Sequence, residues 1–353
     1  MIESFLSTFR AVCPACRAAG RRGGSLEVTR SFEERDGRAI SAIVQCQELS
    51  CQAEFPVIDG VPLLVPDARG FVAASLAHIT RREPLHDEIE NLLGDCAGPG
   101  SWLDQARQYA STYGLDHYGS GPDDGQARRL LATMVEMAGG VIEGPALEIG
   151  CAAGGVTLEL SRLTAGPAAG VDVFFPLVRL FQRMLGSGRA SIPRRRSGTV
   201  YDETEIVLSE SQRTCAAHVD GWCADGAMLP FADASLGVVV AINVLDVTAS
   251  PLELLREMRR VLRPGGIMMV CTPYDWNAGA TRMEAWLGGH SKRAHGAGEP
   301  SRVLEMLLTP DTIPASLAAT RIIAAREGVA WNVRVHDRHT AAYTLHAVVA
   351  RAE

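Results

Sequence analysis

The chain has 353 residues, enough for two domains, and its 47% hydrophobic and 21% charged fractions are those of an ordinary soluble protein whose net charge of −7 gives no global attraction to nucleic acid or anionic lipid. No apolar run reaches the roughly 18 residues needed to cross a bilayer, and the N-terminus lacks a basic-then-apolar export pattern, so a cytoplasmic protein with no membrane partner is expected. Nine cysteines, an odd number, fit reduced thiols and metal ligands better than a disulfide framework.

Residues 1–66 form the first unit. Cys13-Pro14-Ala15-Cys16 is one cysteine knuckle and Cys46-Gln47-Glu48-Leu49-Ser50-Cys51 a looser second, with strand-like segments from Ser25 to Arg30 and from Ala39 to Gln45 between them. Two such pairs can bring four thiolates to the corners of a tetrahedron, the geometry of a closed structural zinc site. In so small a unit the metal could supply much of the folding free energy. Four unconnected buried cysteines are the alternative; a redox Cys-x-x-Cys is disfavoured because no βαβ pattern surrounds it. Together with Glu54-Phe55-Pro56-Val57-Ile58-Asp59-Gly60-Val61-Pro62-Leu63-Leu64-Val65-Pro66, the knuckles resemble the small zinc-ribbon proteins that activate tRNA, rRNA and release-factor methyltransferases as partner subunits. The resemblance implies zinc on Cys13, Cys16, Cys46 and Cys51, in a ribbon fused here to its catalytic domain. Its nearly balanced charge disfavours a phosphate-gripping finger.

Residues 67–122 read as a linker and helical cover. One amphipathic helix, Leu85 to Leu93, is ended by Gly94 and then Gly98-Pro99-Gly100. Residues 101–120 hold Trp102, Tyr109, Tyr113, His117 and Tyr118, followed by Gly119-Ser120-Gly121-Pro122. A helix from Gln126 to Met137 then leads into the third region, residues 123–353.

That region turns on Ala146-Leu147-Glu148-Ile149-Gly150-Cys151-Ala152-Ala153-Gly154-Gly155, an apolar strand running into a glycine-rich turn and the helical pattern Val156 to Leu163. Such a turn brings backbone N–H groups and a helix N-terminus against a nucleotide-like ligand. Ala168 to Val173 reads as a second strand with Asp172 at its end, where a doubly wound sheet holds a ribose diol. Ala224-Asp225-Gly226 follows a third short strand. A fourth strand (Leu236 to Asn243), a helix (Leu252 to Leu262) and Arg263-Pro264-Gly265-Gly266 opening a fifth strand (Ile267 to Thr272) come next. At the C-terminus, Gly328 to Val335 and Ala342 to Val349 flank a turn and read as an antiparallel hairpin.

This succession resembles the class I S-adenosylmethionine (SAM)-dependent methyltransferases. The resemblance implies an α/β fold, a doubly wound Rossmann-like sheet of seven strands with an antiparallel last strand. It implies SAM held by Glu148, Gly150, Cys151, Ala152, Gly154, Asp172, Val173, Ala224, Asp225, Gly226 and Asn243. The glycine turn would meet the methionyl part, Asp172 the ribose, and Ala224 and Asp225 the adenine. Ala152 departs from the family pattern, which has glycine there. An NAD-binding sheet shares the first glycines and the acid about 20 residues on, but explains neither the Leu-Arg-Pro-Gly-Gly turn nor the C-terminal hairpin.

The acceptor side is read from what remains. In many small-molecule methyltransferases a segment with Tyr and His covers cofactor and substrate, which makes Tyr109, Tyr113, His117 and Tyr118 substrate candidates; a plain packing stripe is the alternative. Asn243 and Asp246 follow the fourth strand, and Tyr274 and Trp276 the fifth, where these enzymes keep residues that face the acceptor. Asn243, Asp246 and Tyr274 are the catalytic candidates and Trp276 a substrate contact; a cap on the helix beginning near Pro251 is the alternative for Asp246. Between Asp172 and Asp225 lie 52 residues, more than one helix requires, and Arg194, Arg195 and Arg196 stand there with no acid from Val173 through Tyr201. They are either a solvated run or an anion site. Residues 284–299 read as a long functional loop, with disorder as the alternative, and His336, Asp337 and His339 as a turn too compact for a complete metal site. The expected reaction is methyl transfer to N, O or S of a small metabolite or peptide, an anionic one if the arginines face it. RNA base methylation is the alternative, disfavoured by the acidic balance and by Asn243-Val244-Leu245-Asp246 in place of an Asn-Pro-Pro-Tyr-type motif; a non-catalytic scaffold acting through its ribbon is another.

Overall fold

The computed structural model describes residues 1–353 except 82, 84, 120, 122 and 123, so the expected boundary between 122 and 123 lies outside the described residues. The chain begins with two short helices, α1 (Ser4–Thr8) and α2 (Pro14–Ala18). Pro14 supplies the preset φ of a first helical position, and the Cys16 N–H caps back onto Cys13 Sγ at 3.4 Å. An antiparallel sheet follows, of β1 (Leu26–Arg35), β2 (Arg38–Cys46), β3 (Glu54–Ile58) and β4 (Val61–Pro62). Asp36 and Gly37, both at positive φ, make the two-residue turn between β1 and β2.

Where one helix is expected before residue 100, there are two, α3 (Ala68–Thr80) and α4 (Asp87–Ala97). The Asp67 carboxylate caps α3 by accepting the Gly70 N–H at 3.0 Å, and Phe71, Val72 and Ile79 pack towards Phe175 and Val178. Alanines and Gly70 between those residues dilute the apolar period that would have announced the helix. Next come α5 (Trp102–Tyr118) and α6 (Gln126–Met137).

The remaining elements are β5 (Ala146–Ile149), α7 (Gly155–Thr164), β6 (Ala168–Asp172), α8 (Phe175–Ser187), β7 (Arg189–Ser197), β8 (Val200–Val207), α9 (Glu210–Ala216), β9 (Val219–Cys223), β10 (Leu236–Ile242), α10 (Pro251–Val261), β11 (Leu262–Thr272), α11 (Pro300–Leu307), β12 (Thr320–His336) and β13 (His339–Ala352). Seven strands make one sheet in the order β12-β13-β11-β10-β5-β6-β9. The run from β11 to β9 is parallel, and β13 lies antiparallel between β11 and β12. This is the expected Rossmann-like methyltransferase sheet. Every residue of β5 and β9 is buried, as in strands covered on both faces, including the carboxylates Glu148 and Asp220. Arg263-Pro264-Gly265-Gly266 is a bulge at the start of β11, between the pairings Leu236–Leu262 and Val238–Ile267. The C-terminal hairpin is longer than expected, since β12 starts at Thr320.

The long connection after β6 contains a separate hairpin, β7 and β8, that packs on α5. Ile192 of β7 lies so close to Gly114 of α5 that a Cβ at 114 would fall 2.7 Å from its Cδ1, and the Arg195 N–H donates to Ser111 Oγ at 2.8 Å.

Residues 1–66 share a hydrophobic core with the large sheet, in which Phe5, Phe9 and Phe55 join Trp222 and Phe231. Phe231 stacks on Trp222 at 5.2 Å. Buried Asp220 gathers the Trp222 indole N–H (2.9 Å), the Gln182 amide (2.8 Å) and the Arg38 guanidinium (3.4 Å). Leu63 pairs in parallel with Cys223, and the Leu64 N–H donates to the Cys223 carbonyl at 2.8 Å, so the small unit runs alongside β9. Among the described residues no helix is long and apolar enough to cross a membrane.

Candidate functional site

The C-terminal ends of β5, β6, β9 and β10 open into a cavity of about 510 Å³, where ligands bind in open α/β sheets. Glu148, Gly150 and Ala152 line it from the first strand and its turn, and Asp172 and Val173 from the end of β6. Ala224, Asp225 and Gly226 line it after β9, and Asn243 after β10. Cys151 and Gly154 do not. Cys151 is wholly buried beneath Gly170, and Gly154 is pressed on Phe181, whose ring carbon lies 2.1 Å from where a Cβ would stand. Gly150 is held by Val244 in the same way, at 2.3 Å, and both glycines have positive φ. Glycine is therefore required here by backbone conformation and by packing.

Ala152 adopts φ 43°, a left-handed conformation for a residue with a Cβ. There its N–H donates to Asp172 Oδ2 at 3.0 Å, while the Phe174 N–H donates to Oδ1 at 2.8 Å. Burial raises the Asp172 carboxyl above its ordinary range, and these backbone donors pull against it. Each carboxylate oxygen keeps a lone pair beyond those two bonds. Glu148, buried and pushed well up by desolvation, is engaged by the Thr157 hydroxyl. Asp225 caps its own turn by accepting the Ala227 N–H at 2.9 Å.

Helix α5 covers the cavity. Tyr109, Tyr113 and His117 line it, whereas Tyr118 turns its hydroxyl to the Ala153 carbonyl. The Gly155 N–H donates to His117 Nδ1 at 2.8 Å, which leaves the imidazole proton on Nε2. Burial lowers the His117 pKa to about 3, so the ring is a neutral donor at physiological pH. Among the lining residues that were not expected from the sequence are Gln105, Asp116, Phe174 and Trp331. Gln105 and Asp116 fall on one helical face with Tyr109, Tyr113 and His117, at spacings of four, four, three and one, and that period was the available signal. Trp331 comes from β12, far away in sequence.

Several expected residues stand elsewhere. Asp246 lies outside the cavity lining and ties two loops together, accepting the Asp275 N–H at 2.7 Å. Tyr274 hydrogen-bonds His346 Nδ1 at 2.8 Å, and Trp276 stacks on Trp286 at 5.6 Å and 9°. Residues 284–299 thus supply a packing partner to Trp276. The expectation that Arg194, Arg195 and Arg196 face the cavity is corrected: none lines it. Arg194 pairs with Asp337 at 2.8 Å, Arg196 with Asp202, and Arg195 Nε donates to the Gly198 carbonyl at 2.8 Å. The hairpin turn brings Asp202 back beside the arginines, and β12 ends at the Asp337 turn.

In the N-terminal unit, the sulfurs of Cys13, Cys16, Cys46 and Cys51 all lie within 4.8 Å of one another. Cys13 and Cys51 are 3.9 Å apart and Cys16 and Cys46 3.7 Å. Four sulfurs at zinc–thiolate distance on a tetrahedron are about 3.8 Å apart. The four residues fit a closed tetrahedral site.

Residues 147–270, which hold β5, β6, β9 and β10 at the cavity, match the family described as a methyltransferase domain. A protein of Mycolicibacterium smegmatis, named a probable S-adenosylmethionine-dependent methyltransferase, is 37% identical over 84 residues, which are 24% of this chain and 32% of that protein. The chain thus spans about a third of the length of the curated relative it matches. Among solved structures, the chain is similar to one from "Conversion of a Disulfide Bond into a Thioacetal Group during Echinomycin Biosynthesis" (TM-score 0.41, 13% identity, 63% of this chain and 81% of that one). It is also similar to one from a complex of the Haloferax volcanii Trm112 methyltransferase activator (TM-score 0.30, 20% identity, 44% and 57%). At such scores these two likenesses decide nothing about this chain.

Proposed function

We propose that the chain is a SAM-dependent methyltransferase acting on N, O or S of a small metabolite or peptide, with a structural zinc on Cys13, Cys16, Cys46 and Cys51. The observation that carries the enzymatic reading is the buried Asp172 carboxylate at the end of β6, held from behind by the Ala152 and Phe174 amides and open to a cavity of about 510 Å³. Its remaining lone pairs suit a ribose diol, with Val173 beside it, while Ala224, Asp225 and Gly226 take the adenine side. Gly150 and Ala152 present the turn to the methionyl part, and Asn243, at the end of β10, faces the reacting end. Bound SAM supplies an electrophilic sulfonium methyl. The protein's part is to orient the acceptor and keep the cavity dry, and α5, through Tyr109, Tyr113 and His117, provides that cover.

Calorimetry with S-adenosylhomocysteine tests the reading. Asp172→Ala removes charged hydrogen bonds worth about 1.5–3 kcal/mol each, so affinity should fall more than about tenfold. Unchanged affinity in a folded variant, or no binding to the wild-type chain, sinks it.

A further inference from the structure

Four carboxylates line the cavity, Asp116, Glu148, Asp172 and Asp225, and among the described residues no lysine or arginine does. Three of the four have a use already given: Glu148 with Thr157, Asp172 with two backbone amides and the ribose side, Asp225 with its own turn. Asp116 differs. Its Oδ1 accepts the Gln126 N–H at 2.9 Å and the Ala127 N–H at 3.3 Å, capping α6, whose own N-cap is Gly125. Its Oδ2 is buried without a hydrogen bond of normal geometry, as is Nε1 of Trp331, although the Trp331 indole is close enough to help hold the Asp116 carboxyl down. Both residues line the cavity, at 3% and 4% exposure. Capping explains one oxygen of Asp116 and the indole at most one lone pair of the other, which leaves buried acceptor capacity of the kind folded proteins avoid unless a ligand meets it.

The source of these residues says which ligand. Asp116, Tyr109, Tyr113 and Trp331 all lie outside residues 147–270, the part shared with the methyltransferase domain family. They form the wall of the cavity that the matched domain does not cover, the place for contacts to the acceptor rather than to the cofactor. Tyr109 meets Tyr113 at 5.8 Å and Phe174 at 5.1 Å, both edge to face, so aromatic rings stand on the same wall. A carboxylate with a free lone pair among aromatic rings, in a cavity without cationic side chains, suits an ammonium and repels a carboxylate or phosphate.

Resting on the methyltransferase reading above, we propose that the acceptor is an amine and that Asp116 receives it as an ammonium. An ammonium has no lone pair to attack with. Asp116 supplies the acid–base step: the N–H bond breaks, its electron pair stays on nitrogen, and the proton forms an O–H bond on Asp116 Oδ2, giving a free amine and a neutral carboxyl. Burial that raises the Asp116 pKa to about 6 suits that exchange.

The test is calorimetry on the full chain saturated with S-adenosylhomocysteine, using phenethylamine and its anionic counterpart 3-phenylpropionate as probes. The wild-type chain should bind the amine and prefer it to the carboxylate, a comparison that needs no variant. Asp116→Asn keeps an oxygen for the α6 cap and removes the charge; it should weaken amine binding at least tenfold and change S-adenosylhomocysteine affinity less than threefold. Absent amine binding, preference for 3-phenylpropionate, or equal amine affinity in both proteins overturns the proposal. A loss confined to S-adenosylhomocysteine also overturns it, by giving Asp116 to the amino group of the cofactor. Failure of the wild-type chain to bind S-adenosylhomocysteine at all strikes the methyltransferase reading instead, and the separate titration tells the two apart.

Discussion

Arg17, one residue past the second cysteine of the first knuckle, grips Glu257 of α10 with two hydrogen bonds, Nη1 to Oε2 at 2.6 Å and Nη2 to Oε1 at 2.7 Å. The same carboxylate takes Arg260 Nε at 2.7 Å and the Leu229 N–H at 2.8 Å, and Arg17 also donates to the Leu229 carbonyl. Glu257 is 6% exposed. A planar guanidinium matched to a buried carboxylate fixes an angle as well as a distance, so this pair sets how the knuckle sits on the large sheet.

Glu257→Ala leaves two guanidinium groups facing a partly buried gap, and such a loss costs about 3–5 kcal/mol. Urea unfolding followed by tryptophan fluorescence should show that drop. Acid acts on the same group. Burial would raise the Glu257 pKa, but the hydrogen bonds from Arg260 and Arg17 outweigh it and hold it below its ordinary value. Its contribution is therefore present above about pH 4.3, the unfolded value, and fades as pH falls through the depressed folded one.

Metal analysis of the purified chain should find one zinc per molecule, bound by the four cysteines. Cys16→Ser should lower the zinc content and the solubility together, because the thin core around β1 to β4 depends on the cross-link. A variant with full metal content and normal solubility counts against the site.

His117 makes stability pH-dependent in the opposite way to a salt-bridged histidine. Its folded pKa of about 3 lies below the unfolded value, so the unfolded chain binds the proton first. Stability is intact above about pH 6.5 and falls, by up to about 1.4 kcal/mol per unit, as pH drops towards 3. His117→Asn keeps an acceptor for the Gly155 N–H and should flatten the curve. Asp116, with the opposite sign, acts in both proteins and cancels in their difference.

The arginine hairpin should behave as a brace. Arg195→Glu should leave S-adenosylhomocysteine affinity within about twofold, because its side chain is tied to Gly198 and screened by solvent. Ile192→Ala, by contrast, empties a buried contact with α5 and should cost about 2–5 kcal/mol. The reverse pattern would put Arg195 back in the binding site.

What the sequence made legible was what short spacing encodes. β10 and the later part of β11 read as apolar runs, Asp172 and Asp225 stand at or just past the ends of their strands, and Cys13 and Cys16 sit within one turn. What it hid depends on distant partners. Arg194 looked free of acids because Asp337 is 143 positions away, Arg196 because Asp202 returns to it only through the β7–β8 turn, and Trp276 looked like an acceptor contact because Trp286 belongs to a stretch that reads as an open loop. Asp116 was passed over between two more conspicuous residues, Tyr113 and His117. Its importance appears only when α6 takes one of its oxygens and Trp331 arrives from β12.

The pairing of Leu63 and Leu64 with Cys223 has a practical consequence for expression. A chain begun at residue 67 would keep the whole seven-stranded sheet yet bare the outer side of Val219–Cys223, an entirely buried strand that would become a sticky template for other copies. Such a truncation should form aggregates, although it keeps the strand ends that line the cavity. The small unit thus serves as a built-in guard against self-association.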